Sequence, residues 1–339
     1  LLHRLAFASP GIQLAAAGLE DRLFAGDVEG IEPAPPVFVT SLPRAGTTVL
    51  LQALAEVPGF CTHTYRDMPF VMAPLLWARV SGRFRQQAVA RERAHGDGIE
   101  VSEDSPEAFE EVIWRAFWPE KYHRDRIALW SADDLDAEAQ DFFLRHFRKL
   151  VALRGGGAAG RYVSKNNGNI ARLALLPRMF PGSAIIVPVR APLAQAASLL
   201  RQHRNFAERH AADPFAKRYM GDIGHYEFGA LHRPFAFPGF MEMAGGRGPD
   251  ELDYWLAYWI AAFEEVQRHR SHVVTVAHEA LCERPALTLE RLFADASLRP
   301  DISPERLASH FHPVRAMEDQ PECDAALLAR AQALYAALV

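Results

Sequence analysis

The sequence predicts an α/β fold: a parallel β-sheet flanked by helices on both faces, in three αβα layers. Three observations carry this. Short runs rich in β-branched and aromatic residues alternate with long stretches of helical period. The first such run, Val37–Thr40, passes through a tight turn straight into an apolar helix. With 339 residues, 49% hydrophobic content and 23% charge, the chain is large enough and apolar enough to bury a full α/β core.

Strands are expected at Val37–Thr40, Gly59–His63, Arg161–Lys165, Ala184–Arg190 and His272–Ala277. Helices are expected at Thr47–Glu56, Pro106–Phe117, Leu135–Leu153, Pro192–His210, Asp250–His269, Ala286–Phe293 and Ala325–Leu338. Leu135, Phe142, Phe143, Phe147, Leu150 and Val151 recur at helical spacing and give the third of these one apolar face. The stripe Tyr254, Trp255, Tyr258, Trp259 and Phe263 reads as core packing, the face a helix needs to dock on a sheet. Gly155–Gly160 lacks G-x-G-x-x-G order between strand and helix and reads as a surface loop. Gly221–Arg247, rich in Gly, Pro, His and Phe with little period, suggests a lid or acceptor-side loop.

The most specific segment is Val37–Leu51. A buried strand delivers the chain to Ser41, the turn Pro43–Gly46 lets backbone N–H groups converge, and the helix from Thr47 aims its positive dipole end at the same point. This P-loop-type cradle is built for an anion. A nucleoside-triphosphate loop needs Lys directly after its last Gly, but Gly46 is followed by Thr47 and Thr48. The cation instead comes earlier, at Arg44, where a planar fork can grip two oxygens.

Pro43-Arg44-Ala45-Gly46-Thr47-Thr48 resembles the 5'-phosphosulfate loop of sulfotransferases that use 3'-phosphoadenosine 5'-phosphosulfate (PAPS), with Ala45 in place of the usual Ser. The family's second element, a strand ending in Arg followed by a Ser that holds the 3'-phosphate with it, is matched by Ala184–Arg190 and by Ser198 eight residues on. Pro192 suits a first helical turn, which puts Arg190 at the carboxyl end of its strand and Ser198 on the second turn beyond it, near one crevice. Ala191 replaces the Asp that usually follows this Arg, so the arginine must be oriented by another group. The resemblance implies that Arg44, Ala45, Gly46, Thr47, Thr48, Arg190 and Ser198 bind PAPS, with Arg44 and Arg190 at opposite ends of the donor. It also implies 3'-phosphoadenosine 5'-phosphate (PAP) as product and, with a loop cation in place of Mg²⁺, no metal.

Sulfuryl transfer needs an acceptor aligned with sulfur, a base to take its proton, and cations where charge grows on the departing oxygen. Arg44 and Lys165 are the cationic candidates. Lys165 ends a predicted strand before Asn166–Asn169, and related tyrosylprotein and bacterial sulfotransferases use a strand-end Lys in this way. For the base, family members place an acid soon after the second strand, where this chain has Asp67. His63 is the runner-up, since an ordinary imidazole titrates near neutral pH. Asp67 equally suits an N-cap for a helix over Met68–Trp77. Glu107, Glu110 and Glu111 are a third option, although Ser105-Pro106 followed by acids reads mainly as a helix start.

These features are expected within one domain, 1–339. Residues 1–35 form an N-terminal helical extension, 36–200 the cofactor-binding core, 201–250 an acceptor-side lid region, and 251–339 the C-terminal helices with one core strand. A net charge of −5 argues against bulk binding to nucleic acid or anionic membrane. Cys61, Cys282 and Cys323 have no metal-binding spacing, and a reducing compartment, the cytoplasm, is the default. No apolar run reaches the roughly 20 residues of a membrane span. The chain starts without Met, so a removed leader or anchor stays open, as does a homodimer.

The expected partner is a small-molecule, carbohydrate or peptide hydroxyl acceptor. Its identity would be set by loops such as Phe70–Asp104 and Gly221–Gly248, and the acidic stretch Asp97–Glu111 hints at a polar or cationic one, although solvated charge is the commoner explanation. The rival readings are a P-loop kinase or NTPase, which needs another lysine and a Mg²⁺ carboxylate, and a non-catalytic nucleotide-binding protein.

Overall fold

The computed structural model describes residues 2–82, 91–92, 100–101, 105–107, 109–314 and 321–339. Five parallel strands lie side by side in the order Phe60–Cys61, Arg161–Lys165, Ala34–Val39, Ala184–Val189, Val274–Ala277. The chain starts at the central strand, fills one side, then crosses over to fill the other. That reversal opens a crevice at the carboxyl end of Ala34–Val39, the place where open α/β sheets bind ligands.

Alternation along each strand divides the core between the two faces. Val37, Val39, Val163 and Ile186 gather with Leu50, Leu51 and Leu54 of helix Thr47–Ala55 and with Leu289, Leu292 and Phe293 of helix Pro285–Asp295. Phe38, Tyr162, Ile185 and Val187 belong to the opposite core, with Phe143 and Phe147 of helix Ala137–Arg154 and with Trp259 and Phe263 of helix Leu252–Arg268. Helix Ala137–Arg154 has both ends signalled in sequence: Asp136 caps the Ala139 N–H at 2.8 Å, and Gly155 stops it at φ 69°. The αβα expectation therefore holds, and strand Arg161–Lys165 and helix Ala325–Leu338 have the expected limits.

Three local expectations fail, the first at Leu135, which lies before helix Ala137–Arg154 and is exposed rather than part of its apolar face. The helix expected from Pro106 begins at Glu111. Residues 105–107 instead spend their backbone groups on the second strand's extension: Tyr65 N–H donates to Ser105 O at 3.3 Å, Glu107 N–H to His63 O at 3.1 Å, and Thr64 bridges Pro106. The helix expected over Met68–Trp77 begins at Pro74, with Ala73 as its cap. Among the described residues, no helix is long and apolar enough to cross a membrane.

Candidate active site

Because all five strands run the same way, Ser41, Lys165, Arg190 and His278 leave the sheet along one edge. The loop after the central strand is held from behind. Ser41 Oγ donates to Pro188 O at 2.7 Å, and the buried Gln195 amide donates to Leu42 O at 3.1 Å and Pro43 O at 2.9 Å. With two loop carbonyls drawn back, the turn's N–H groups are left for an anion. Gln195 is itself fixed by the Trp259 indole, which donates to its Oε1 at 2.9 Å. Arg44 has φ 71°, strained for a residue with a Cβ, and Gly46 has φ 81°. A Cβ at Gly46 would come within 2.5 Å of His278 Nδ1, so only glycine fits. Ala45 is buried, Thr47 Oγ1 reaches Asn167 Oδ1 at 3.4 Å, and Thr48 is half-buried beside them.

Arg190 and Ser198 join the loop directly. Arg190 Nη1 donates to Arg44 O at 2.9 Å and Arg44 Nε donates to Ser198 Oγ at 3.2 Å, so the three residues form one cluster rather than two separated ends. Burial lowers the Arg190 pKa, and the nearby Arg44 charge adds to that. Two cations held this close mark a place for an anion, and the buried Arg190 Nε has no hydrogen-bond partner. The carboxylate absent at Ala191 is supplied from elsewhere: Glu279 Oε1 accepts the Ala191 N–H at 2.9 Å, acts on Arg190 through its charge, and takes the Tyr335 hydroxyl on Oε2 at 2.8 Å. His278 sits beside this cluster with a pKa pushed down to about 4, first by burial and then by Arg190, so it is neutral at physiological pH.

Lys165 is buried at the end of its strand and followed by a loop anchored from below. Asn166 Nδ2 donates to Glu111 Oε2 at 2.8 Å, and Arg172, wholly buried, grips the Glu111 carboxylate through Nη1 at 2.9 Å and Nη2 at 2.8 Å. Trp114 and Trp130 lie 4.3 and 4.2 Å from the Arg172 guanidinium carbon. Burial alone would raise the Glu111 pKa, but Arg172 outweighs it and holds the carboxyl below the usual range. Glu111 is thus a structural anchor. Glu110 likewise serves Trp114, Tyr162 and Asn169, and Glu107 takes the Tyr65 hydroxyl. In the stretch suspected of meeting a cationic acceptor, Glu107, Glu110 and Glu111 are engaged internally; 97–99, 102–104 and 108 lie outside the described residues.

Beside Lys165 lies a cavity between the loop and helix Leu252–Arg268. Pro43 of the loop borders it, Ile127, Phe228, Phe235, Trp255 and Tyr258 supply its apolar walls, and His225 and Glu227 line it. The aromatic stripe of helix Leu252–Arg268 is therefore core along most of its length and cavity wall at two positions. His225 Nδ1 lies 2.7 Å from Glu227 Oε2. Burial would lower the imidazole pKa, but the Glu227 carboxylate outweighs it and holds it above the ordinary value, while the Glu227 carboxyl, despite burial, is drawn down to about 2 by His225. Lys165 acts electrostatically on both. Neither this pair nor Gln195 and Glu279 figured among the candidates from sequence; a His two residues from a Glu inside an irregular segment was the available signal.

Asp67 and His63 are elsewhere. Asp67 accepts from Arg154 Nη2 at 2.6 and 2.7 Å, from His63 Nδ1 at 2.8 Å and from the Thr64 N–H at 3.0 Å. Burial pushes its pKa up, yet His63 and Arg154 together bring it below the ordinary value. His63 turns its other nitrogen to His146 at 2.9 Å. Both side chains are enclosed, and neither lines the cavity that contains Lys165. Among the described residues, no group of three or more His, Cys, Asp or Glu side chains could hold a metal ion.

Comparison with known proteins agrees with this architecture. Residues 35–233 match the model of a family described as the sulfotransferase family. Among solved structures, the sulfotransferase STF1 of Mycobacterium tuberculosis H37Rv is similar with a TM-score of 0.52 at 12% identity, over 99% of this chain and 86% of that one. STF9 of Mycobacterium avium gives 0.49 at 16% identity over 95% and 81% of the two chains. At these identities the likeness to STF1 speaks for the fold alone. No curated protein matches the sequence. With its family model covering more than half of its length, the chain belongs to the sulfotransferase family.

Proposed function

We propose that the protein transfers a sulfuryl group from PAPS to an acceptor hydroxyl or amine. The convergence of Arg44, Arg190 and Ser198 beside a loop whose carbonyls are drawn back is the observation that carries this reading. The partnerless, buried Nε of Arg190 is the feature that fits a phosphorylated ligand, and the two guanidinium groups supply the countercharge such a ligand needs. PAPS would supply the activated sulfuryl group. Arg190 and Ser198 bind its 3'-phosphate, while the loop N–H groups and Thr47 and Thr48 bind the 5'-end, with Arg44 between the two.

Lys165 lies between the loop and the cavity, and serves to neutralise the charge that grows on the departing oxygen. His225 takes the acceptor proton in this reading. Glu227 orients the ring through Nδ1 and stabilises the imidazolium that forms. Asp67 remains a candidate base only by sequence position, because its carboxylate is saturated by Arg154, His63 and Thr64. Its proposed role is to hold Arg154 and the turn Tyr65–Asp67 in place.

His225→Gln is expected to lower kcat by about 10²- to 10³-fold, within the range of general-base removal, while PAP affinity stays unchanged. The base must be neutral to accept a proton, so kcat/KM rises with pH through an imidazole pKa above the ordinary value; Glu227→Gln should move that rise to lower pH. Turnover from radiolabelled PAPS across pH, with PAP titration calorimetry on each variant, checks both results. Undiminished turnover in His225→Gln would remove the base from His225. Absence of PAP binding to the unaltered protein, or equal affinity for PAP and 5'-AMP, would remove the donor assignment.

A further inference from the structure

Tyr226 and Arg233 line both the cavity beside Lys165 and a second cleft. The Arg233 guanidinium carbon lies over the Tyr226 ring, 4.3 Å from its centre. A guanidinium packed by its face keeps its N–H donors along the edge, where a carboxylate fits in a bidentate pair. Among the described residues, no carboxylate or carbonyl meets that edge. The second arginine near the same ring, Arg115, is already committed: its Nη1 donates to Gly221 O and Asp222 O, each at 2.7 Å.

The acids around the junction are committed as well. Glu227 faces His225, Glu111 is held by Arg172, and Asp222 pairs with His3 at 3.1 Å and Arg218 at 3.5 Å. Arg233 is therefore a cation without a carboxylate partner among the described residues, and it lines the same aromatic-walled cavity as Lys165 and His225. We infer that the acceptor is an amphipathic hydroxy acid, with an apolar or aromatic body between Phe235, Trp255 and Tyr258, its hydroxyl at Lys165 and His225, and a carboxylate on Arg233. This rests on the sulfotransferase reading above and narrows its acceptor to an anionic class.

The test uses two non-reacting probes of one shape, naphthalene-2-carboxylate and its neutral amide, titrated calorimetrically into the full chain with and without PAP. The carboxylate is expected to bind about tenfold or more tighter than the amide, as a charge-assisted bidentate pair requires. Arg233→Gln should bring the two within about twofold, and Arg233→Lys, which keeps the charge without the fork, should retain part of the preference. Equal binding of the two probes to the unaltered protein, or binding of neither, overturns the inference while PAP binding leaves the donor reading standing. A preference for the carboxylate that survives in Arg233→Gln overturns it too. Should PAP itself fail to bind, the donor reading falls, and the probe ratio on the free protein still decides whether Arg233 selects carboxylates.

Discussion

Arg190→Ala is expected to weaken PAP binding by about two orders of magnitude and to leave 5'-AMP binding nearly unchanged, the loss of about two charge-assisted hydrogen bonds to one phosphate. The expectation follows from how this arginine is placed. One nitrogen is spent on Arg44 O, the Nε is buried without a partner, and the side chain lies against a second cation, so its remaining donors are aimed where an anion relieves the repulsion. Ser198→Ala should cost less, about tenfold, as one neutral donor is worth less than a guanidinium. Calorimetric titrations of PAP and 5'-AMP into the three proteins check this. An equal loss for both nucleotides would mean that Arg190 serves only to prop the loop through Arg44 O.

The largest effect on stability is expected at Arg172→Met. The substitution leaves Glu111 as an unpaired carboxylate among Trp114, Tyr122 and Asn166, and breaking a buried pair from one side costs about 3–5 kcal/mol. Tyr122, which also donates to Glu111, and Asn169, which accepts from Arg172 Nη1 at 3.0 Å, lose their geometry with it. The pH dependence has a definite sign. In the unaltered protein the Glu111 carboxyl is held below its ordinary pKa by Arg172 against the opposing effect of burial. The pair's contribution is therefore full above the ordinary carboxylate range and lost as pH falls through the lowered value. The deficit of Arg172→Met should be largest near neutrality and shrink in acid. Urea unfolding at several pH values measures it. Replacing both Glu111 and Arg172 by Met should recover part of the loss, because no charge then remains buried. A pH-independent deficit would show that Arg172 matters through its packing between Trp114 and Trp130 alone.

The loop and its Arg190–Ser198 neighbour were legible because their signals are local. A strand, a turn and a helix start follow one another within Val37–Leu51, and Arg190 and Ser198 are linked by a single strand-to-helix connection, so each element could be recognised from its own segment. The cavity beside Lys165 was opaque for the opposite reason. His225 and Glu227 sit in an irregular segment, and the cavity they line is assembled from residues scattered between Pro43 and Tyr258. At Asp67 proximity in sequence does not reveal the partners: the carboxylate lies near the second strand as the family pattern asks, and Arg154, 87 positions later, donates to it. Ser105-Pro106 carried a sound helix-start signal that tertiary pairing with His63–Tyr65 overrode.

The indole of Trp259 sets a limit on redesign. Trp255 and Tyr258, on the same helix, face the cavity beside Lys165 and can be recut to change its shape, whereas Trp259 holds Gln195, and Gln195 holds the carbonyls of Leu42 and Pro43. A library that randomises that helix as a block would damage the loop together with the cavity it means to reshape, and its inactive members would say nothing about what the cavity admits.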